Sequence, residues 1–109
     1  MRIWDIEPNK LCRNHLLGEH RELHAIWSVI TKNKKGYSLH PETLRWHGKL
    51  KALYLRHEKL VKEMNLRGYN HFSPLEKKLA QGKSKQNIFI DLPKHQILIL
   101  KNKGCKCTV

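Results

Sequence analysis

The sequence predicts an all-α fold: a compact single domain of two long helices followed by short C-terminal helices. Three observations predict it. Apolar residues recur at three- and four-residue intervals over two long stretches, as one face of a helix requires. Pro41, Gly68, Pro93 and Gly104 sit where helices of that phase should start or stop. The chain has 109 residues and no internal repeat, which fits one domain spanning residues 1–109.

The elements follow in order. Ile3, Trp4 and Ile6 make an apolar start fit for packing, and Pro8-Asn9 precedes the first helix with Asn9 as candidate N-cap. That helix is expected from about Lys10 to Thr31, with Cys12, Leu16, Leu23, Ile26, Trp27 and Ile30 on one face. Residues 32–40 read as a basic loop broken by Gly36. Lys32, Lys34 and Lys35 are its candidate phosphate contacts, and an ordinary solvated loop is the alternative. A second helix is expected from Pro41 to about Arg67, with Trp46, Leu50, Leu53, His57, Leu60, Val61 and Met64 as its stripe. Glu42 suits its N-terminus and Gly68 its termination. Gly48 inside it costs about 1 kcal/mol against alanine. Either another backbone packs against it, or it is a mild defect. Lys49, Lys51, Arg56, Lys59 and Lys62 read as the solvated face.

Residues 69–73 form a turn, and Ser73-Pro74-Leu75-Glu76 has the spacing of a capping box opening a short third helix to about Gln81. Residues 82–85 are a polar loop and residues 87–92 are expected to be extended. Pro93 opens a last short helix through about Asn102, closed by Gly104. The tail, CKCTV, carries no structural signal. Trp4, Trp27 and Trp46 are assigned to the core. Tyr37, Tyr69 and Phe72 lie in basic loops, where an aromatic can stack on a base.

Lys and Arg number 22 against 9 Asp and Glu, a net charge of +13, which points to a polyanionic partner. DNA, RNA and an anionic membrane surface are the classes. The membrane class is weak, because the second helix mixes its charges and no isolated amphipathic helix stands out. No apolar run reaches membrane-spanning length, and residues 1–20 lack a signal-peptide core. A cytoplasmic location is therefore expected, nucleoid-associated in a prokaryote, with a monomer as the default. Three cysteines without zinc-type spacing read as free thiols in a reducing compartment. His20 and His24 lie four apart, but nothing in the sequence completes a ligand set. No metal and no cofactor are expected.

One acid stands out. Glu19 falls inside the apolar stripe of the first helix, where a carboxylate is costly unless paired or protonated. Glu22 and His15 lie on the stripe's edge. The plain reading is helical i,i+3 or i,i+4 salt bridges. The order Met1-Arg2-Ile3, then His15-Leu16, then Glu19-His20-Arg21-Glu22-Leu23, resembles the pyrimidine-dimer DNA glycosylase/AP lyase family, the phage endonuclease V type. His40-Pro41-Glu42 and the RGYNH of residues 67–71 are similar to cellular members of that group. The resemblance is specific over roughly the first thirty residues, weakens through the second helix and carries no site residue onto the last third.

The resemblance implies a helical DNA-repair enzyme that needs no metal. Its nucleophile would be the α-amine of Met1, expected to be retained because Arg2 is bulky. The amine attacks the sugar C1′, displaces the base and forms a Schiff base, and β-elimination then cuts the strand. Glu22 would stabilise the cationic sugar and assist proton transfers, with Glu19 supporting. His15, Arg2 and Arg21 would hold damaged double-stranded DNA, with a base opposite the lesion flipped out. The chemistry is sound. An α-amine titrates near 7.7–8.0, and neighbouring cations increase its neutral fraction. A carboxylate lowers the energy of an oxocarbenium ion. Three features depart from the pattern, the first being Met1 in place of the family's terminal threonine. Ala25 stands where the family has a second arginine, and the tail lacks the family's aromatic-rich segment. They leave open whether dimers are excised or abasic sites alone are cleaved. The rival reading is a non-catalytic basic nucleic-acid-binding module on the same scaffold, with salt-sensitive binding and no cleavage.

Overall fold

A computed structural model describes residues 2–36, 38–70 and 73–108. Its helices are α1 (Arg13–Thr31), α2 (Pro41–Leu44), α3 (Leu50–Leu66) and α4 (Pro93–Asn102). Single 3-10 turns form at Pro8–Lys10 and Lys77–Leu79, and no strand occurs among the described residues. The all-α expectation holds. α1 packs along α3, and Leu16, Leu23 and Ile26 meet Leu53 and Leu60 in a core closed by Ile3, Leu11 and Leu100. Trp4, Trp27 and Trp46 are buried in it, as expected. Among the described residues no helix is long and apolar enough to cross a membrane.

The first helix starts later than its stripe suggests. Pro8–Lys10 turns separately, and Cys12 rather than Asn9 is the N-cap, in extended conformation with ψ 169°. Arg67 stabilises the bend by donating to the Pro8 and Leu11 carbonyls at 3.2 and 2.6 Å.

The second helix is two. α2 begins at Pro41 as expected, with the His40 ring accepting from the Glu42 amide, but the helix stops at Leu44 and resumes at Leu50. Gly48 lies in the gap at φ +73°. The start of α3 has no capping side chain. Its orphan amides are met instead by a crossing segment: Lys51 and Ala52 donate to the Gln81 and Lys83 carbonyls at 2.9 and 3.1 Å. Lys83 returns a bond to the Gly48 carbonyl at 2.9 Å. Another backbone does approach the Gly48 carbonyl, but neither explanation accounts for the glycine itself: Gly48 lies outside any helix, its φ of +73° favours glycine, and a Cβ on it would meet nothing within 4 Å. Gly82 makes that approach, at φ +93°, and a Cβ there would strike the Gly48 carbonyl. Gly82→Ala is therefore expected to destabilise the protein by about 1–3 kcal/mol, read as a lower denaturation midpoint at unchanged slope.

The same crossing explains a further correction. The capping box at residues 73–76 does not form, and only Lys77–Leu79 turns helically, because residues 81–83 are committed to the amides of α3. Residues 87–92 form no strand. Nor is the basic face of the second helix uniformly solvated. Lys51, Lys59 and Lys62 are exposed, but Lys49 is buried and donates to Gln86 Oε1 at 2.8 Å and to the Arg45 carbonyl at 3.4 Å. Burial, with Lys83 and Arg45 nearby, holds its ammonium below the usual lysine range. α4 matches its expected limits. The tail is not loose: the Thr108 amide donates to the Lys10 carbonyl at 2.7 Å, and the Cys12 amide to Cys107 Sγ at 3.1 Å.

Candidate functional site

Residues 2–7 cross the helices as an arm without regular secondary structure. Ile3, Trp4 and Ile6 bury their side chains, so the arm's amides leave water and need partners. Three successive amides find them on three helices. Ile3 donates to Glu42 Oε1 on α2 at 3.2 Å, Trp4 to Glu19 Oε1 on α1 at 3.0 Å, and Asp5 to Gln96 Oε1 on α4 at 2.8 Å. The three acceptors are each no more than 2% exposed. A carboxylate on the apolar stripe is thereby explained: Glu19 is the acceptor that seats the arm.

Glu19 is not held by a neighbour on its own helix. Arg56 of α3 grips it in a bidentate pair, Nε to Oε2 at 2.7 Å and Nη2 to Oε1 at 3.0 Å. Arg56, assigned from sequence to the solvated face, is thus a buried-site partner. Burial pushes the Glu19 carboxyl up, while Arg56 and the Trp4 amide pull it down; the net direction is upward. All three bonds are donated to Glu19, so the geometry is that of an ionised acceptor.

Glu42 and Arg45 form a second buried centre that sequence reasoning missed. Glu42 Oε1 also accepts from Arg45 Nε at 2.7 Å and Trp46 Nε1 at 3.2 Å. Arg45 reaches on to Asp5 Oδ2, the Ile3 carbonyl and the Ile88 carbonyl at 3.0, 3.0 and 2.8 Å. The only sequence signal was an acid and a base three residues apart in a first turn.

Three of the expected site residues converge on Trp4. Glu19 takes its amide, Arg2 lies over its ring at 5.0 Å, and His15 meets the ring edge-on at 5.6 Å. Arg2 also pairs with Asp91 at 2.9 Å. His15 has a second set of neighbours: its Nδ1 lies 3.1 Å from Cys12 Sγ and 3.2 Å from Cys107 Sγ. Burial, with Lys103 adding, holds its imidazole below the usual histidine range.

Glu22 lies one turn beyond Glu19 on α1, about 4.5 Å along the axis. It is half-buried, and none of the ion pairs among the described residues involves it. Arg21 is exposed and lines a shallow recess of about 530 Å³ with Leu17, His20, His24 and Ser73. Lys32, Lys34 and Lys35 are exposed past the far end of α1, with Lys32 about 15 Å from Glu22 along the axis. That distance is the rise of four to five base pairs at about 3.4 Å each. Tyr69 is half-buried beneath the Arg13 guanidinium at 5.8 Å, which occupies one ring face. Met1, the expected nucleophile, lies outside the described residues, as do Tyr37 and Phe72.

Two side-chain clusters have the composition of cation sites. His57 of α3 joins His20 and His24, completing a group that the sequence left at two; its Nε2 is 3.1 Å from that of His24. Cys12, His15, Cys105 and Cys107 form the other. In each, the ligand atoms lie within 4.8 Å of one another.

Comparison with known proteins gives one match. A family model described as pyrimidine dimer DNA glycosylase matches residues 1–77, a stretch that includes the arm, α1, α2 and α3. No curated protein and no solved structure matches the chain.

Proposed function

The chain belongs to the pyrimidine dimer DNA glycosylase family, and on that premise we propose that it excises the base at a dimer and then cuts the abasic strand through a Schiff base on its N-terminal amine. The observation that carries the reading is the arm seated on Glu19 with Glu22 one turn further along α1. Three residues of chain span at most about 10 Å, so the α-amine is tethered within that distance of the Trp4 nitrogen. Glu22 stands one turn from Glu19, whose Oε1 is 3.0 Å from that nitrogen.

The steps follow from these groups. The neutral amine attacks C1′ of the damaged nucleotide, and the C1′–N glycosidic bond breaks with its electron pair leaving on the base. Glu22 stabilises the positive charge that develops on the sugar, a role suited to a half-buried carboxylate without an ion-pair partner among the described residues. Ring opening gives the iminium. Removal of a C2′ proton expels the 3′-phosphate, and water hydrolyses the imine to regenerate the amine. Arg2 and Arg21 attract the phosphates. A flipped nucleotide costs least at a lesion, where pairing is already damaged.

Borohydride reduction on duplex DNA tests the reading. Covalent trapping is expected on dimer-containing and abasic-site substrates, and it should vanish when the N-terminal amine is blocked. Trapping that persists after blocking, or salt-sensitive binding without trapping, would overturn it; the latter is the signature of a non-catalytic binding module.

The basic loop makes a separate prediction. If Lys32, Lys34 and Lys35 each neutralise one phosphate, replacing all three by Ala lowers the slope of log K against log salt by about 2.7. Fluorescence anisotropy at several salt concentrations measures it. An unchanged slope would place the DNA elsewhere.

A further inference from the structure

We propose that Cys12, His15, Cys105 and Cys107 are the four ligands of a tetrahedral zinc site that fastens the C-terminal tail to the start of α1. The sequence offers two short pairs at opposite ends of the chain, and the fold closes them into one set. Cys12 is the N-cap of α1 and His15 stands in its first turn, three residues on, so both face the same side. Cys105 and Cys107 follow α4 and flank Lys106. The three sulfurs and the imidazole nitrogen lie within 4.8 Å of one another.

The distances fit a metal. Zinc held by three sulfurs at about 2.3 Å and one nitrogen at about 2.0–2.1 Å sets its ligand atoms roughly 3.5–3.8 Å apart. The His15 nitrogen is 3.1 and 3.2 Å from the Cys12 and Cys107 sulfurs, so a bound ion needs them to spread by only a few tenths of an ångström. Three sulfurs and one imidazole select zinc over magnesium or calcium, which prefer oxygen. Cys107 already has an outer contact suited to a bound thiolate, whereas Cys105 Sγ donates to the Leu100 carbonyl at 3.4 Å and would lose that proton when an ion binds. The Cys12 amide donates to the Cys107 sulfur, and the Thr108 amide to the Lys10 carbonyl, so the tail is already drawn onto α1. Arg13 and Lys106 line the adjoining recess of about 630 Å³ with Cys12 and Cys105. They offset the net negative charge of three thiolates on a dication, and the recess is an entry path.

The site does something for the arm. His15 is the edge-on neighbour of Trp4, the residue on which Arg2 and Glu19 converge. An ion on His15 fixes that ring, and hence the floor beneath the arm. Cys105 and Cys107 lie beyond residues 1–77, the stretch matched by the family model, so the site can be tested apart from the chemistry proposed above.

The test is metal content and cobalt spectroscopy on the reduced full chain. Elemental analysis should find one zinc per chain. Substitution with Co²⁺ should give the intense visible bands of a tetrahedral site and thiolate-to-cobalt charge transfer in the near ultraviolet. Cys107→Ser should weaken zinc binding by more than the roughly 10–100-fold that loss of an outer-shell partner costs. His20→Gln should leave the charge-transfer band unchanged, which separates this cluster from the histidine group. If Cys107→Ser does not fold, alkylation of the wild-type chain decides. The three cysteines should be protected by zinc and react once it is chelated. A reduced protein without stoichiometric zinc or charge transfer, a disulfide among these cysteines in the protein as purified, or thiols that zinc leaves reactive would overturn the proposal. Borohydride trapping is read separately and reports the amine, so failure of one proposal is distinguishable from failure of the other.

Discussion

Glu22→Gln is expected to slow strand cleavage at a pyrimidine dimer by roughly 10²–10⁴-fold, the range in which positioned acid–base groups act. Stability and DNA affinity should stay near wild type. The expectation rests on the contrast between two acids one turn apart. Glu19 accepts three hydrogen bonds, from Arg56 twice and from the Trp4 amide, and its oxygens are committed to holding α3 and the arm. Glu22 has no ion-pair partner among the described residues and is half-buried, so its carboxylate is available to a cation that forms beside it. Gln keeps the shape and removes the charge. Single-turnover cleavage, with binding and thermal melting measured on the same protein, reads the effect. Glu22→Gln with wild-type cleavage would remove Glu22 from the mechanism. Loss of cleavage together with a collapsed melting temperature would make it a structural residue.

The sequence made Glu19 visible as an anomaly, a charge on an apolar face, but not its partner. Arg56 lies 37 residues away on another helix, and pairing across helices depends on how they dock. The same holds for the cysteines. The three cysteines show no zinc-type spacing in the chain, because the 95-residue separation of Cys12 and Cys107 hides that they touch. The break in the second helix was concealed for a different reason. Trp46, Leu50 and Leu53 keep helical spacing across it, so periodicity continues where the backbone does not. Only the glycine marked it. The ends of α4 were legible because Pro93 and Gly104 act locally and need no tertiary partner.

Arg45→Met is expected to cost about 3–5 kcal/mol, the usual penalty for leaving buried acids without their cation. Against a total stability of about 5–15 kcal/mol, that lowers the melting temperature by more than about 10 °C. The arginine is 5% exposed and bonds Glu42, Asp5 and the carbonyls of Ile3 and Ile88. Methionine fills the space and leaves Glu42 and Asp5 without their cation. Lys59→Ala is the control. Lys59 and Glu7 pair at 3.5 Å with side chains 59% and 65% exposed, and breaking such a pair costs under about 1 kcal/mol. Equal melting temperatures for the two variants would refute the buried centre. The prediction reaches the chemistry too, because Glu42 and Arg45 hold Ile3 from both its amide and its carbonyl. An arm released there loses the bonds that fix Ile3, two residues from the proposed nucleophile. Borohydride trapping by Arg45→Met, measured well below its melting temperature, should therefore slow even where the protein is folded, as misplaced reacting groups require.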